Sequence, residues 1–230
     1  QPAAAGLLRY MASPVADDLR TARAYGVVAD NPERDADTIQ LQDGTRIRLL
    51  GGDSTEIAHA GKKGSKDQPW SREATAASKR LAPPGAAVRV VAGGPADEIG
   101  PLQADGFEVD QARYGRRVGY VETIPALVAK IPGLRRVWPG TDVNKALLAS
   151  GDMQPRYDFM ADAHTRLRDY HQAAVEAHTD QRGLYRPNVQ AALEKGGLYR
   201  WRPTEKDKPG DPVAKAMNLG GTGLLVSGNS

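Results

Sequence analysis

The sequence predicts an α+β chain, mainly β, built as a five-stranded Greek-key barrel with three helices and an extension at each end. Three observations predict it. Short runs alternate apolar with polar residues, Asp43-Gly44 forms a strong hairpin signal, and beyond the N-terminal extension helical composition falls in one segment after the third strand and two after the fifth.

The elements follow in order. Ser13-Pro14 reads as a helix start, Ser as the cap and Pro at the first helical position, with the helix running to Arg23. Tyr25 to Ala29 is a first strand. Thr38 to Gln42 and Thr45 to Leu50 flank Asp43-Gly44 as a two-residue hairpin. Ile39, Leu41, Ile47 and Leu49 alternate inward, which leaves Arg46 and Arg48 on the opposite face. Arg48 therefore projects from a strand rather than a loop. Trp70 to Leu81 is helical and ends before Pro83-Pro84, which cannot continue it. Val88 to Val91 and Arg117 to Val121 are further strands. Asp142 to Ser150 is a helix stopped by Gly151, and a longer helix spans about Asp162 to His178. Three strands, a helix, two strands and two helices suit a barrel of the oligonucleotide-binding (OB-fold) type.

Gly93 to Gly106 and Thr123 to Gly140 are rich in Gly and Pro and read as surface insertions. The expected domain organisation is an N-terminal helical extension over 1–24, one folded domain over 25–185, and a tail or linker over 186–230. Lys206 to Pro212 reads as a linker and Gly220-Gly-Thr-Gly as a flexible end. Trp138 and Trp201, in loop and tail, are expected to be packing anchors. His164, His171 and His178 recur every seven residues and so share one helical face, spaced about 10 Å apart, too far to share a metal ion.

The 230 residues are 40% hydrophobic and 26% charged, ordinary for a globular protein. No apolar run approaches the roughly 20 residues needed to cross a bilayer, so no membrane partner is expected. A net charge of +3 does not by itself point to nucleic acid. The 21 Arg against 10 Lys are more informative, because a guanidinium forks phosphate oxygens and an ammonium cannot. There is no Cys, so disulfides and thiolate-metal sites are excluded. The start at Gln1, without a basic apolar signal stretch, fits either a removed leader or a piece of a longer product.

Chemistry concentrates in Arg48-Leu-Leu-Gly-Gly-Asp53-Ser-Thr-Glu56, where a guanidinium, a possible metal-holding carboxylate and a possible base lie within nine residues. Asp37 sits one hairpin upstream, and Arg113-Tyr-Gly-Arg116 adds positive charge. A lone Asp37 would read as a turn former and a lone Glu56 as a solvated acid; together with Asp53 and Arg48 they make a plausible apparatus for phosphodiester hydrolysis. Lys62-Lys-Gly-Ser-Lys66 reads equally as a basic flap or a solvated loop. Arg46 and Arg117 read as surface cations.

These pieces resemble the staphylococcal nuclease (thermonuclease) family. The resemblance rests on Asp35-Ala-Asp37-Thr-Ile, Arg48 through Glu56, Trp70-Ser-Arg-Glu-Ala, Arg113-Tyr-Gly-Arg116, Asp142-Val-Asn-Lys-Ala-Leu-Leu and Tyr157. Arg182-Gly-Leu-Tyr185 looks like the family's final segment, so the resemblance covers about 25–185 in family order. It implies that Asp37, Asp53 and the Ser54 carbonyl hold one calcium ion. It implies Glu56 as general base or positioner of the attacking water, and Arg48 and Arg116 as the pair that clamps the scissile phosphate. Arg113, Tyr114 and Tyr157 are implied to contact substrate. This sequence departs from the family pattern with Ala36 for a usual Gly, Ser54 for Thr, and Thr55 for a usual Pro.

The resulting expectation is a calcium-dependent endonuclease that cleaves DNA and RNA with little sequence specificity and leaves 3′-phosphates. The alternative is a non-catalytic module that uses the same barrel to bind nucleic acid, or as a structural part of a larger assembly reached through the terminal extensions. Low calcium inside cells would suppress such a site, so a secreted or extracellular setting is expected, with a virion component as a further possibility.

Overall fold

The computed structural model describes residues 23–31, 34–58, 66–92, 109–110, 116–156 and 166–203. The predicted Ser13–Arg23 helix lies outside them except for Arg23, as do the 93–106 insertion and the linker and glycine-rich end of the tail. The architecture is α+β around a mixed sheet. Its strands are β1 (Arg23–Val27), β2 (Thr38–Gln40), β3 (Arg46–Leu49), β5 (Ala87–Ala92) and β7 (Arg116–Ile124), in the order β1-β5-β7-β3-β2. Two short strands, β6 (Val109–Asp110) and β8 (Thr141–Asp142), also pair with β7. A separate pair joins β4 (Gly52–Asp53) to β9 (Gln154–Pro155).

The β3–β7 pair is parallel, with Arg48 opposite Val118, and the other pairs are antiparallel. The strands at the two ends of the order also meet. Val28 bridges Leu41, the Ala29 N–H donates to the Gln40 carbonyl (2.8 Å), and the Gln42 N–H donates to the Val27 carbonyl (2.8 Å).

The predicted hairpin forms with one correction. Leu41 N–H donates to the Thr45 carbonyl (2.8 Å), which encloses three residues, Gln42 to Gly44, rather than two. Gly44 takes φ 87°, and the Asp43 carboxylate accepts from Thr45 N–H (2.9 Å), so the turn is the three-residue kind that ends in a left-handed glycine. The inward alternation holds: Ile39, Leu41, Ile47 and Leu49 are buried, Arg46 is exposed and Arg48 lies between. They join Val88, Val90, Val121, Leu147, Leu148 and Tyr170 in the main core.

Helix α1 (Ser71–Leu81) is entered through Trp70, itself left-handed at φ 68°, and stops at the Pro83-Pro84 pair. In the 123–140 insertion lie two short helices, α2 (Ala126–Ala129) and α3 (Pro132–Val137). Helix α4 (Val143–Ala149) is capped by the Asp142 carboxylate, which accepts from Lys145 N–H (2.9 Å). It ends at Gly151 (φ 75°), where a Cβ would lie 2.4 Å from the Arg182 carbonyl oxygen. Only glycine permits that approach. Helix α5 (Leu167–Thr179) is the longer helix predicted from about Asp162, and residues 162–165 lie outside those described.

Two further expectations change. The segment read as a tail contains helix α6 (Pro187–Lys195), whose Val189 and Leu193 bury against Leu184, and Trp201 enters the main core. His171 and His178 pack edge-on against Trp201, with ring centroids 5.8 and 6.2 Å away. Trp138 is 40% exposed and belongs to neither buried cluster of the described residues.

One buried amide ties the layers together. Asn144 on α4 donates to the carbonyls of Leu50 (2.9 Å) and Gly119 (3.3 Å) and accepts from Val121 N–H (2.9 Å). It thereby satisfies backbone groups where the chain leaves β3 beside β7. Replacing Asn144 by Leu removes the partner of the Leu50 carbonyl and of the Val121 N–H, while the Gly119 carbonyl still accepts from Leu50 N–H (3.1 Å), and unfolding by denaturant should show a loss of about 2–4 kcal/mol.

Candidate functional site

The turn before β2, strand β3 and strand β4 bring Asp37, Arg48 and Asp53 into contact. Arg48 Nη1 pairs with Asp37 Oδ2 and Nη2 with Asp53 Oδ1, while Nη2 also approaches the Gly52 carbonyl (3.5 Å). Asp37 is buried, and Arg48 keeps 15% of its side chain exposed. The turn is held in place by its own backbone, since the Asp37 carbonyl accepts from Leu49 N–H (2.8 Å). Asp37 Oδ2 also accepts from Ser54 N–H (3.0 Å) and Oδ1 from Thr38 Oγ1 (3.1 Å). One carboxylate thus fixes both the guanidinium and the start of the following loop.

Burial works to raise the Asp37 carboxyl. The Arg48 charge and the hydrogen bonds from Arg48 and Ser54 outweigh it and hold the group below the usual carboxylate range. For Arg48, burial works to lower the guanidinium, and Asp37 and Asp53 outweigh it, so Arg48 stays charged.

Asp53 has a second cation. Arg156 Nη1 donates to Asp53 Oδ2 (3.2 Å), and its guanidinium lies 5.3 Å from the Tyr199 ring centroid. Tyr199 OH donates to the Pro155 carbonyl (3.0 Å), Gln154 Nε2 donates to the Tyr199 carbonyl (3.1 Å), and Trp201 N–H donates to Gln154 Oε1 (2.7 Å). The chain beyond 186 therefore reaches back to the site through β9. No motif in the sequence marks Arg156 or Tyr199; only the position of Arg156, next to Tyr157, could have drawn attention to it.

The loop after Asp53 is pinned by side chains. Glu56 N–H donates to Gln68 Oε1 (3.0 Å), Ile57 N–H to Asp35 Oδ1 (3.0 Å) and Ala58 N–H to Asp67 Oδ1 (2.8 Å). The Gln68 N–H returns a bond to the Glu56 carbonyl (2.9 Å). The Glu56 carboxylate is exposed.

Arg116 opens β7, with Val118 opposite Arg48 in register, so the two arginine backbones lie on neighbouring strands. The Arg116 side chain lies outside the described residues, as do Arg113, Tyr114 and Tyr157 entirely. Among the described residues no group of three or more His, Cys, Asp or Glu side chains forms a metal cluster. Two carboxylates, one from the turn before β2 and one from β4, do converge on one positive charge, and both are hard oxygen donors of the kind calcium takes.

A cavity of about 600 Å³ lies elsewhere, lined by Trp70, Glu73, Arg80, Asp152 and Arg182 among others, and includes none of the predicted site residues. Its Asp152 carboxyl is pushed up by burial and is held by Trp70 Nε1 (2.7 Å) and Ser150 Oγ (2.6 Å). No protein-family model and no curated protein matches the chain.

Because Asp37 is depressed in the folded state, its stabilising contribution is complete above the ordinary carboxylate range and lost as pH falls through the lowered value. Denaturant midpoints measured from neutral pH down to about pH 2 should fall on the acid side. Asp37→Asn should be less stable than the wild type at neutral pH and show a shallower acid decline.

Proposed function

We propose that the chain is a calcium-dependent phosphodiesterase that cleaves DNA and RNA, built on an OB-type barrel. The observation that carries this reading is the convergence of Asp37, from the turn before β2, and Asp53, from β4, on Arg48. The sheet order, the parallel β3–β7 pair and the Val28–Leu41 bridge support the barrel.

Asp37, Asp53 and the Ser54 carbonyl would hold the cation, which when bound supplies positive charge against a phosphate oxygen. The chain's own residues do the rest. Arg48, with Arg116, binds the equatorial phosphate oxygens, where charge gathers as the reaction proceeds. The exposed Glu56 accepts a proton from the attacking water. The new P–O bond forms as the bond to the 5′ oxygen breaks, and that oxygen takes up a proton and leaves a 3′-phosphate on the other fragment. Arg113, Tyr114 and Tyr157 are assigned to substrate contact on the resemblance alone. Arg156 joins them as a positioning residue for Asp53.

A fluorogenic DNA digestion with and without millimolar calcium tests the reading. Wild-type protein should cleave only with calcium. Glu56→Gln and Arg48→Lys should each lose about 100- to 1,000-fold in rate, because Lys keeps the charge but not the fork. No cleavage at any calcium concentration rejects the enzyme.

One observation favours the second reading, a binding or structural module. Arg48 is occupied by two carboxylates, which is also how a purely structural buried ion pair is arranged. Calorimetry with calcium separates the two. Arg48→Met removes the internal counter-ion, so an exchangeable site should bind calcium more tightly than wild type, while Asp53→Asn weakens binding at least about tenfold. If neither variant changes calcium binding, the triad is structural.

A further inference from the structure

Helix α3 is turned inside out. A surface helix normally buries its apolar stripe and exposes its charges. Here α3 buries none of its residues, and Ile131, Leu134, Val137 and Trp138 are 42%, 42%, 49% and 40% exposed. Their spacing of three to four places them along one side. Leu127 on α2 extends the patch at 74% exposure, and among the described residues only Tyr199 is a comparably exposed large hydrophobic. The side toward the protein is held by polar contacts instead. Arg135 stacks over the Tyr25 ring (4.2 Å), and Arg89 Nη1 donates to the carbonyls of Arg135 (2.9 Å) and Arg136 (2.8 Å). Arg89 is itself buried against Glu122, so the hairpin is mounted on β5 and β7 through its backbone.

The α2–α3 segment that carries the patch is also cationic, although Arg135 turns to Tyr25. Between Thr123 and Gly140 the sequence carries Lys130, Arg135 and Arg136 and no acid. An occupant must therefore offer negative charge beside an apolar phase. A second copy of the chain would set these cations against their equals. A nucleic acid would meet the cations but has nothing to cover Ile131, Leu134 and Val137. An anionic bilayer offers phosphate and carboxylate at the headgroup level, an apolar interior below, and a boundary at which Trp is favoured. We propose that the α2–α3 hairpin docks the protein onto an anionic lipid surface. Docking differs from spanning: no helix among the described residues is long and apolar enough to cross a membrane.

Co-sedimentation with phosphatidylcholine vesicles, with and without roughly one-third phosphatidylserine, tests this. Wild-type protein should pellet only with the anionic vesicles, at low salt more than at high, with a blue shift in Trp fluorescence that Trp138→Ala removes. Leu134→Glu should weaken binding at least about tenfold, and Arg136→Gln about fivefold. Both side chains are exposed, so circular dichroism should be unchanged. Failure of the wild type to pellet, or wild-type binding by Leu134→Glu, overturns the proposal. So does a dimer that Leu134→Glu dissolves while the vesicles leave the protein in solution, since the patch would then be a self-association face. The inference is independent of phosphodiester chemistry, and the cleavage assay on the same variants should be unaltered.

Discussion

A guanidinium that keeps only 15% of its side chain in water must be matched by negative charge, and this requirement organises the structure around Arg48. Its partners come from both sides of β3: Asp37 from the turn before β2, and Asp53 from the strand that follows. Removing either carboxylate would leave part of a buried charge unpaired, which costs far more than an exposed ion pair contributes. The β2–β3 ladder already sets Asp37 beside Arg48, and the ion pairs add Asp53, whose strand pairs with β9 instead. Asp37 also sets where the next loop begins, because the same oxygen that pairs with Arg48 accepts the Ser54 N–H.

That local constraint depends on a wider one. After Leu49 the chain must leave the parallel pairing with β7 and turn toward β4, so carbonyls at the exit lose their ladder partners. Asn144 gives the Leu50 carbonyl a donor and the Val121 N–H an acceptor, and adds a second donor to the Gly119 carbonyl, which also accepts from Leu50 N–H (3.1 Å). β4 then pairs with β9, and β9 is gripped by Tyr199 and Trp201. Asp53 is therefore positioned from two directions, by α4 through the β3 exit and by the C-terminal segment through β9.

The sequence showed the strands and helices well where one physical rule governs them. Alternating burial in β2 and β3, the Pro83-Pro84 stop and the Gly151 end follow from period, proline chemistry and a left-handed glycine. It also pointed correctly to the proximity of Asp37, Arg48 and Asp53, since a hairpin and one turn are short-range geometry. Long-range partners were not legible. Arg156 is 103 residues from Asp53, and nothing in its neighbours announces the contact. The Pro187–Lys195 helix falls in the expected tail because the resemblance ends at Tyr185, and its Val189 and Leu193 gain a purpose only by packing against Leu184. Trp138 failed as an anchor because a large aromatic in a loop is expected inside, and composition cannot tell which side of a hairpin faces out.

Charge balance connects the site to its proposed chemistry. Asp37 and Asp53 face Arg48 and Arg156, two negative groups against two positive ones, so this set as it stands carries no net charge to draw in a phosphodiester. In the proposed reading, a divalent cation on the two carboxylates would do what the guanidiniums now do for them. Arg48 and Arg156 would then be left with positive charge to direct at an anion. Tyr199 gives Arg156 a face to rest on whether or not Asp53 holds it. Among the described residues no ring stacks on Arg48, and leaving Asp37 would expose the most deeply buried carboxylate of the site. The two arginines are therefore unequal: Arg156 can release its carboxylate at small cost, and Arg48 only when something replaces its charge.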